Sequence, residues 1–431
     1  MVHRSRALAF LVVLALAGCA SPPALQTAAS PEEVGFSSQR LKELSAAFQA
    51  KVDAGEYPGM VVLVARDNEI AWFDAIGYRD REAKAPMTRD ALFRIASMTK
   101  PITSLSIMML IEEGKLKLDD PLSQYLPEFT NLQVGVEKPD AAGKPQLVTE
   151  PAQRAITIRD LLRHTSGITY GIFGKSLVKN RYNAAKLFDP SQTTAQFITK
   201  LSQLPLQFQP GTRWDYSMST DVLVRVVEVA SGKPMDQFVH ERILKPLHMN
   251  DTDYWVEPAK QPRVAEPQVI ADSGKRPAFP GVAQKPRWIP GGHGLVSTAA
   301  DYARFCQMLL NGGTLDGVRI VSAETLALMQ KDHLPPGAVV LSPEAKAAWG
   351  IVAPTAENGQ GFGLGFAVRT SEGTNKIPGS IGDHFWAGAY GTYFWVDPKQ
   401  RMFAILMLQA PISVNRAPRL WMRELVYRAL N

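Results

Sequence analysis

Phe93-Arg94-Ile95-Ala96-Ser97-Met98-Thr99-Lys100-Pro101-Ile102 leads into an apolar run, Leu105, Ile107, Met108, Met109, Leu110 and Ile111, which ends at Glu112-Glu113-Gly114. The run reads as a buried helix with Gly114 as its C-terminal stop. Pro101 fits because it falls in the first turn, where backbone N–H groups lack intrahelical partners. Residues three apart on a helix share one face, which brings Ser97 beside Lys100. A lysine amine there can take the serine proton and turn a weak alcohol into a nucleophile. The positive end of the helix also favours an alkoxide and an oxyanion. The stretch points to acyl transfer through a covalent acyl-enzyme on Ser97.

The spacing alone is not specific, because Ser176-Leu177-Val178-Lys179 repeats it. Ser176 lies among Gly171, Gly174, Lys175 and Asn180 with no apolar period behind it, and reads as loop.

Outward from Ser97, the flanks read as strands and helices. Ser38 to Ala54 is an amphipathic helix with Leu41, Leu44, Phe48 and Val52 on one face. Met60–Ala65 and Ile70–Phe73 form a hairpin through Asp67-Asn68. From Lys117 to about Val296 the pattern is helix and loop: Ile158 to Arg163, Ala195 to Leu204, Ser219 to Ala230 and Met235 to Ile243 are helices. Two Pro/Gly-rich stretches, Glu137 to Pro151 and Glu257 to Pro290, read as irregular surface. Ser297 caps a helix through Leu310 that carries Cys306, a buried packing residue. Phe362 to Val368, Phe385 to Val396 and Met402 to Leu408 are β-like, and Asn415 to Leu430 is a closing helix. Strands at both ends with helices between predict an α/β fold: one antiparallel sheet built from N- and C-terminal strands, flanked by helices, with a large, mostly helical insertion. The catalytic helix is expected between sheet and insertion, where a cleft belongs.

The first residues read as a targeting segment. His3, Arg4 and Arg6 precede an apolar stretch from Ala7 to Ala17 that is too short to span a bilayer, and Leu16-Ala17-Gly18-Cys19 has the form of a bacterial lipobox. The expected organisation is a signal peptide over 1–18, a lipidated tether over 19–30 starting at Cys19, an α/β domain from 31–116 and 297–431, and a helical domain over 117–296. The expected location is the cell envelope, anchored to a membrane through the lipid on Cys19. Formal charge is +6 over the whole chain, with basic residues dispersed, which argues against nucleic-acid binding. The seven histidines are scattered singly, with no Cys/His cluster or H-E-x-x-H spacing, so no metal is expected; no Rossmann or P-loop pattern calls for a cofactor.

A serine–lysine site needs a second proton-handling group and an oxyanion hole. Tyr216, in Trp214-Asp215-Tyr216-Ser217-Met218-Ser219, is the candidate for the first; beside the Lys100 ammonium it is expected to ionise more readily. Trp386-Ala387-Gly388-Ala389-Tyr390-Gly391 supplies the second: the small residues let a substrate lie against the strand, and the backbone N–H groups of Ser97 and Ala389 form the oxyanion hole. His164 with Ser166 is the nearest rival pair and reads as structural. His384, two residues before Trp386, shares its strand face and reads as packing.

Taken together, Ser97-x-x-Lys100, Tyr216-Ser217-x and the Trp386 strand resemble, in order, the motifs of the serine β-lactamase-like proteins: class C β-lactamases, penicillin-binding proteins and family VIII carboxylesterases. Framework segments Leu161–Gly167, Gly294–Asp301 and Gly363–Phe366 extend the resemblance over roughly Pro31 to Leu430. It implies the β-lactamase/transpeptidase-like fold, Ser97 as nucleophile, and Lys100 and Tyr216 as base and proton relay. Two departures bear on substrate. The chain has no Lys-Ser/Thr-Gly triplet; Trp386-Ala387-Gly388 stands there and looks like the Trp-Gly-Gly of family VIII carboxylesterases, with Ala387 for the first glycine. Met218 stands where a Tyr-x-Asn asparagine is expected. Replacing a lysine that holds a substrate carboxylate forfeits a charge-assisted hydrogen bond of about 1.5–3 kcal/mol. Trp386, Ala387, Gly388 and Met218 are therefore expected to bind a small neutral ester. The expected activity is short-chain ester hydrolysis. The alternatives are a β-lactamase or D-amino-acid peptidase using the same site, and a non-hydrolytic penicillin-binding lipoprotein.

Overall fold

The computed structural model describes residues 25–270 and 273–431. The expected signal peptide and Cys19 lie outside the described residues. Asp67 and Asn68 both adopt positive φ, 56° and 69°, as a two-residue hairpin turn requires. They join strands Gly59–Arg66 and Glu69–Asp80 in antiparallel register. Gly59–Arg66 also pairs with Met402–Leu408, so the first long strand of the chain meets the last. The sheet runs Gln26–Thr27, Glu69–Asp80, Gly59–Arg66, Met402–Leu408, Tyr393–Asp397, His384–Ala387, Ala367–Arg369, Gln360–Phe362, with Ala85–Pro86 beside Glu69–Asp80. Every residue of Met402–Leu408 is buried, as expected of a central strand covered on both faces.

Adjacent strand residues point to opposite faces, and Phe394 and Trp395 show what lies on each. Phe394 packs its ring on Tyr302 of the Ala299–Leu310 helix, at 5.1 Å. Trp395 stacks on Tyr427 of the Ala417–Ala429 helix, at 6.1 Å. The Ser38–Asp53 helix joins Ala417–Ala429 on the second side. The Thr99–Glu112 helix is buried from Thr99 to Leu110 and packs against Ser219–Ser231 from the middle of the chain.

Four local readings are corrected. Ser176 is not loop: it N-caps the Leu177–Ala184 helix, accepting from the Lys179 amide. Glu137 to Pro151 is not irregular: Gln133–Pro139 and Pro145–Pro151 form a hairpin in the otherwise helical middle. Its turn is ordered by Asp140, whose carboxylate accepts from the Ala142 and Lys144 amides, with Gly143 at φ 77°. The prolines sit at the strand ends, where a missing N–H costs no ladder bond. Thr298, not Ser297, caps Ala299–Leu310. Phe362–Val368 and Phe385–Val396 each break into two strands, because Gly365 and Gly391 take φ near 107° and 109° and reverse the chain.

Candidate active site

Ser97 sits in a single 3₁₀ turn, Ala96–Met98, that runs directly into the Thr99–Glu112 helix. Ala96 is held at φ 44°, a strained value for a residue with a Cβ, and the strain falls next to Ser97. The turn is tied down on all sides. Ile95 O accepts from Thr392 Oγ1 at 3.1 Å, Arg94 O from Gln409 Nε2 at 3.2 Å, and Met98 O from Tyr302 OH at 2.9 Å.

Lys100 is fully buried. Its Nζ lies 3.4 Å from Ser97 Oγ, 3.3 Å from Tyr170 OH and 2.7 Å from Gly292 O. None of these partners is charged. Burial therefore pushes the amine down to about 7, against the pull of the Asp221 carboxylate nearby. A lysine so placed is available as a neutral base near neutral pH.

Tyr216 is buried, with its ring 4.5 Å from Lys100 Nζ. Its hydroxyl accepts from Trp386 Nε1 at 3.2 Å. The expectation that Tyr216 ionises readily is reversed: burial raises the phenol, and Ser97 and Trp386 only partly offset it. Burial thus holds Tyr216 as the phenol, packed among Trp349, Trp386, Phe173 and Tyr170.

The Trp386 strand delivers the Gly388–Ala389 peptide to the same place. Gly388 O accepts from Arg419 Nη2 at 2.8 Å, and Ala389 O from Asn415 Nδ2 at 2.7 Å. In a planar trans peptide the C=O and N–H point opposite ways, so the Arg419 bond turns the Ala389 N–H away from Arg419. Ser97 and Ala389 line one cavity. Gly388 has to be glycine, because a Cβ there would run into Thr392 Oγ1 and Ile95 O, the contacts that dock the strand on the Ser97 turn. Ala387 is buried beside it and lines the cavity with Trp386.

Met218 is not with this group. It is buried ahead of the Ser219–Ser231 helix and borders a separate cleft with Gly171, Tyr182 and Phe188. His164 and Ser166 do not pair: His164 Nδ1 lies 3.0 Å from Ser217 Oγ, and Ser166 Oγ lies 2.8 Å from Ser219 Oγ. His384 packs on Phe366 and bonds Gln330, and burial lowers its imidazole to about 4. Cys306 is buried.

Sequence reading missed Tyr170, Asp221 and Gly292. Tyr170 OH bridges Lys100 Nζ and Asp221 Oδ2, at 3.3 and 3.5 Å, and Asp221 Oδ1 accepts from the Gly292 amide at 3.0 Å. A Cβ at Gly292 would stand 2.7 Å from Asp221 Oδ2 and 3.1 Å from Lys100 Nζ, filling the space where these groups converge. The available signals were Tyr170 closing the His164–Gly167 segment and Asp221 one turn into the helix after Tyr216.

Comparison with known proteins agrees with this arrangement. The Beta-lactamase family model matches residues 44–428. Protein Rv1367c of Mycobacterium tuberculosis is 38% identical over 373 residues, covering 85% of this chain and 89% of that one. Esterase EstB of Burkholderia gladioli is 30% identical, covering 93% and 99%. Among solved structures, that of "EstCE1, a hydrolase with promiscuous acyltransferase activity" superposes with a TM-score of 0.72 at 28% identity, over 90% of this chain and 98% of that one.

Proposed function

The chain belongs to the Beta-lactamase family and is a β-lactamase-fold hydrolase, and from that premise we infer that it is a carboxylesterase cleaving short-chain esters through an acyl-enzyme on Ser97. The observation that carries the reading is Trp386. It stands where a lysine would grip an anionic substrate, and its one donor, Nε1, is engaged on Tyr216 OH. That edge of the site offers an apolar face and no charge from Trp386. Relatedness to Esterase EstB points the same way.

The reaction follows from the contacts. Neutral Lys100 takes the Ser97 proton as Oγ bonds to the ester carbonyl carbon. The carbonyl electrons move onto oxygen, which the Ser97 and Ala389 amides stabilise. The carbonyl–alkoxide bond breaks, and the departing alkoxide receives the proton held by Lys100 through the Tyr216 hydroxyl. Water then repeats the sequence on the acyl-enzyme: its proton goes to Lys100, its oxygen to the acyl carbon, and Ser97 is released.

The test compares p-nitrophenyl butyrate with a chromogenic cephalosporin on wild type and Ser97→Ala. Ester turnover is expected to dominate and to disappear in the variant. A larger cephalosporin rate would instead assign a β-lactamase, and an undiminished ester rate in Ser97→Ala would remove Ser97 from the mechanism.

A further inference from the structure

The cavity at Ser97 has two unequal arms. One, of about 60 Å³, is walled by Phe173, Trp349, Val352, Trp386 and Ile412, with Arg416 and Arg419 also bordering it and Arg419 engaged on Gly388 O. The other, of about 630 Å³, is walled by Phe188, Tyr254, Phe279, Trp288 and Tyr390. Ser97, Phe173, Tyr216 and Ala389 border both, so the arms meet at the nucleophile. The narrow arm has about a tenth of the volume of the wide one. The wide arm falls within the roughly 300–1,000 Å³ typical of pockets for drug-sized ligands.

The arms also differ in their access to the proton. Tyr170, 3.3 Å from Lys100 Nζ, lines the wide arm together with His293 and Gly294, and none of these lines the narrow one. The proton reaches a leaving alcohol through Tyr216, which borders both arms, but Tyr170 on Lys100 Nζ borders only the wide arm, and that arm has the room for the alcohol. The acyl group is left with the narrow arm.

Trp349 closes that arm. Its ring stands 4.9 Å from Tyr216, nearly perpendicular at 82°, and 5.1 Å from Phe173. It is the last residue of the Pro343–Trp349 helix, and Gly350 behind it turns the chain at φ 56°. Resting on the ester-hydrolase reading above, we propose that Trp349 sets the acyl length: the narrow arm takes a short acyl group, and the wide aromatic arm takes a bulky apolar alcohol.

The experiment measures kcat/KM for p-nitrophenyl acetate, butyrate and octanoate on the full chain as wild type, Trp349→Ala and Trp349→Phe. It adds 2-naphthyl acetate against ethyl acetate on wild type. One methylene in a tight apolar pocket changes selectivity by roughly ten- to two-hundred-fold. Wild type should therefore fall at least about tenfold from butyrate to octanoate, Trp349→Ala should reduce that fall to under about threefold, and Trp349→Phe should lie between. Naphthyl acetate should exceed ethyl acetate by about tenfold or more. Trp349→Phe keeps a ring against Tyr216, so it and the wild-type profile carry the test if Trp349→Ala does not fold. A wild type that prefers octanoate, or a Trp349→Ala that cleaves acetate yet keeps the wild-type fall, overturns the assignment of the narrow arm. Preference for ethyl acetate overturns that of the wide arm. A wild type inert toward every ester overturns the ester reading and this proposal together, whereas brisk hydrolysis with the wrong size preference overturns this proposal alone.

Discussion

Ser97–Lys100 and Ser176–Lys179 have the same spacing and opposite chemistry. At the first, the serine sits in a strained turn at a cavity wall, and the lysine is buried among two hydroxyls and a carbonyl. At the second, Ser176 Oγ is committed to capping: it accepts from the Lys179 amide at 3.0 Å and donates to Gln207 Oε1 at 2.6 Å. Lys179 Nζ donates to Phe173 O and lies 3.5 Å from the Asp215 carboxylate. What separates the two pairs is their surroundings: Ser97 lies at a cavity wall beside a lysine that touches two hydroxyls and a carbonyl, whereas Ser176 is spent on a helix cap and Lys179 on a carbonyl and a carboxylate.

The contrast is sharpest in paired substitutions. Ser97→Ala should lower kcat/KM for p-nitrophenyl butyrate by about 10³-fold or more. Ser176→Ala should leave it within about twofold while lowering stability by about 1 kcal/mol through the lost cap, read by denaturant melts of both variants. A large activity loss in Ser176→Ala would erase the distinction.

The pH profile tests the cause. Burial lowers Lys100 to about 7, and the proposed base is its neutral amine. Activity should therefore rise with pH through a midpoint near 7 and then level off, since burial raises Tyr216 and removes it as a source of alkaline loss in that range. Lys100→Met should cost about 10²–10⁴-fold, and Lys179→Met should leave the midpoint in place. A profile flat between pH 5 and 9, measured as kcat/KM, would mean that the amine is not the titrating base.

The smallest effect is expected at Trp386. Trp386→Phe keeps the apolar face and removes the Nε1 bond to Tyr216, worth about 0.5–1.5 kcal/mol. A loss of up to roughly tenfold in kcat with KM little changed would fit that role. A gain in cephalosporin turnover instead would show that the indole donor, and not the missing lysine, sets the substrate preference.

Much of the fold was legible because periodicity and turn chemistry are local. The hairpin at Asp67-Asn68 and the buried helix after Ser97 follow from residue types a few positions apart. The misread segments share a different cause. The turn of the Gln133–Pro151 hairpin and the Ser176 cap are set by side-chain oxygens accepting from nearby amides, at Asp140 and Ser176, in stretches whose glycines and prolines look like loop. Met218 was assigned to the substrate by its place after Tyr216, yet it enters a helix whose start turns it toward another cleft. Gly292 carries no local mark at all, and Tyr170 only its place after the His164–Gly167 segment.

By itself the sequence determined the juxtaposition of the serine and the lysine. Ser97 and Lys100 are three apart at a helix start, and that geometry is set by the helical repeat. It also determined that no lysine stands on the Trp386 strand. Only the tertiary structure decided the protonation of the pair and the shape of the space around it. Lys100 meets Tyr170 and Gly292 from segments 70 and 192 residues away, and Tyr216 meets Trp386 across 170. Desolvation depends on everything that packs around a group, so a lysine's charge and a cavity's two arms are properties of the folded chain and not of any motif.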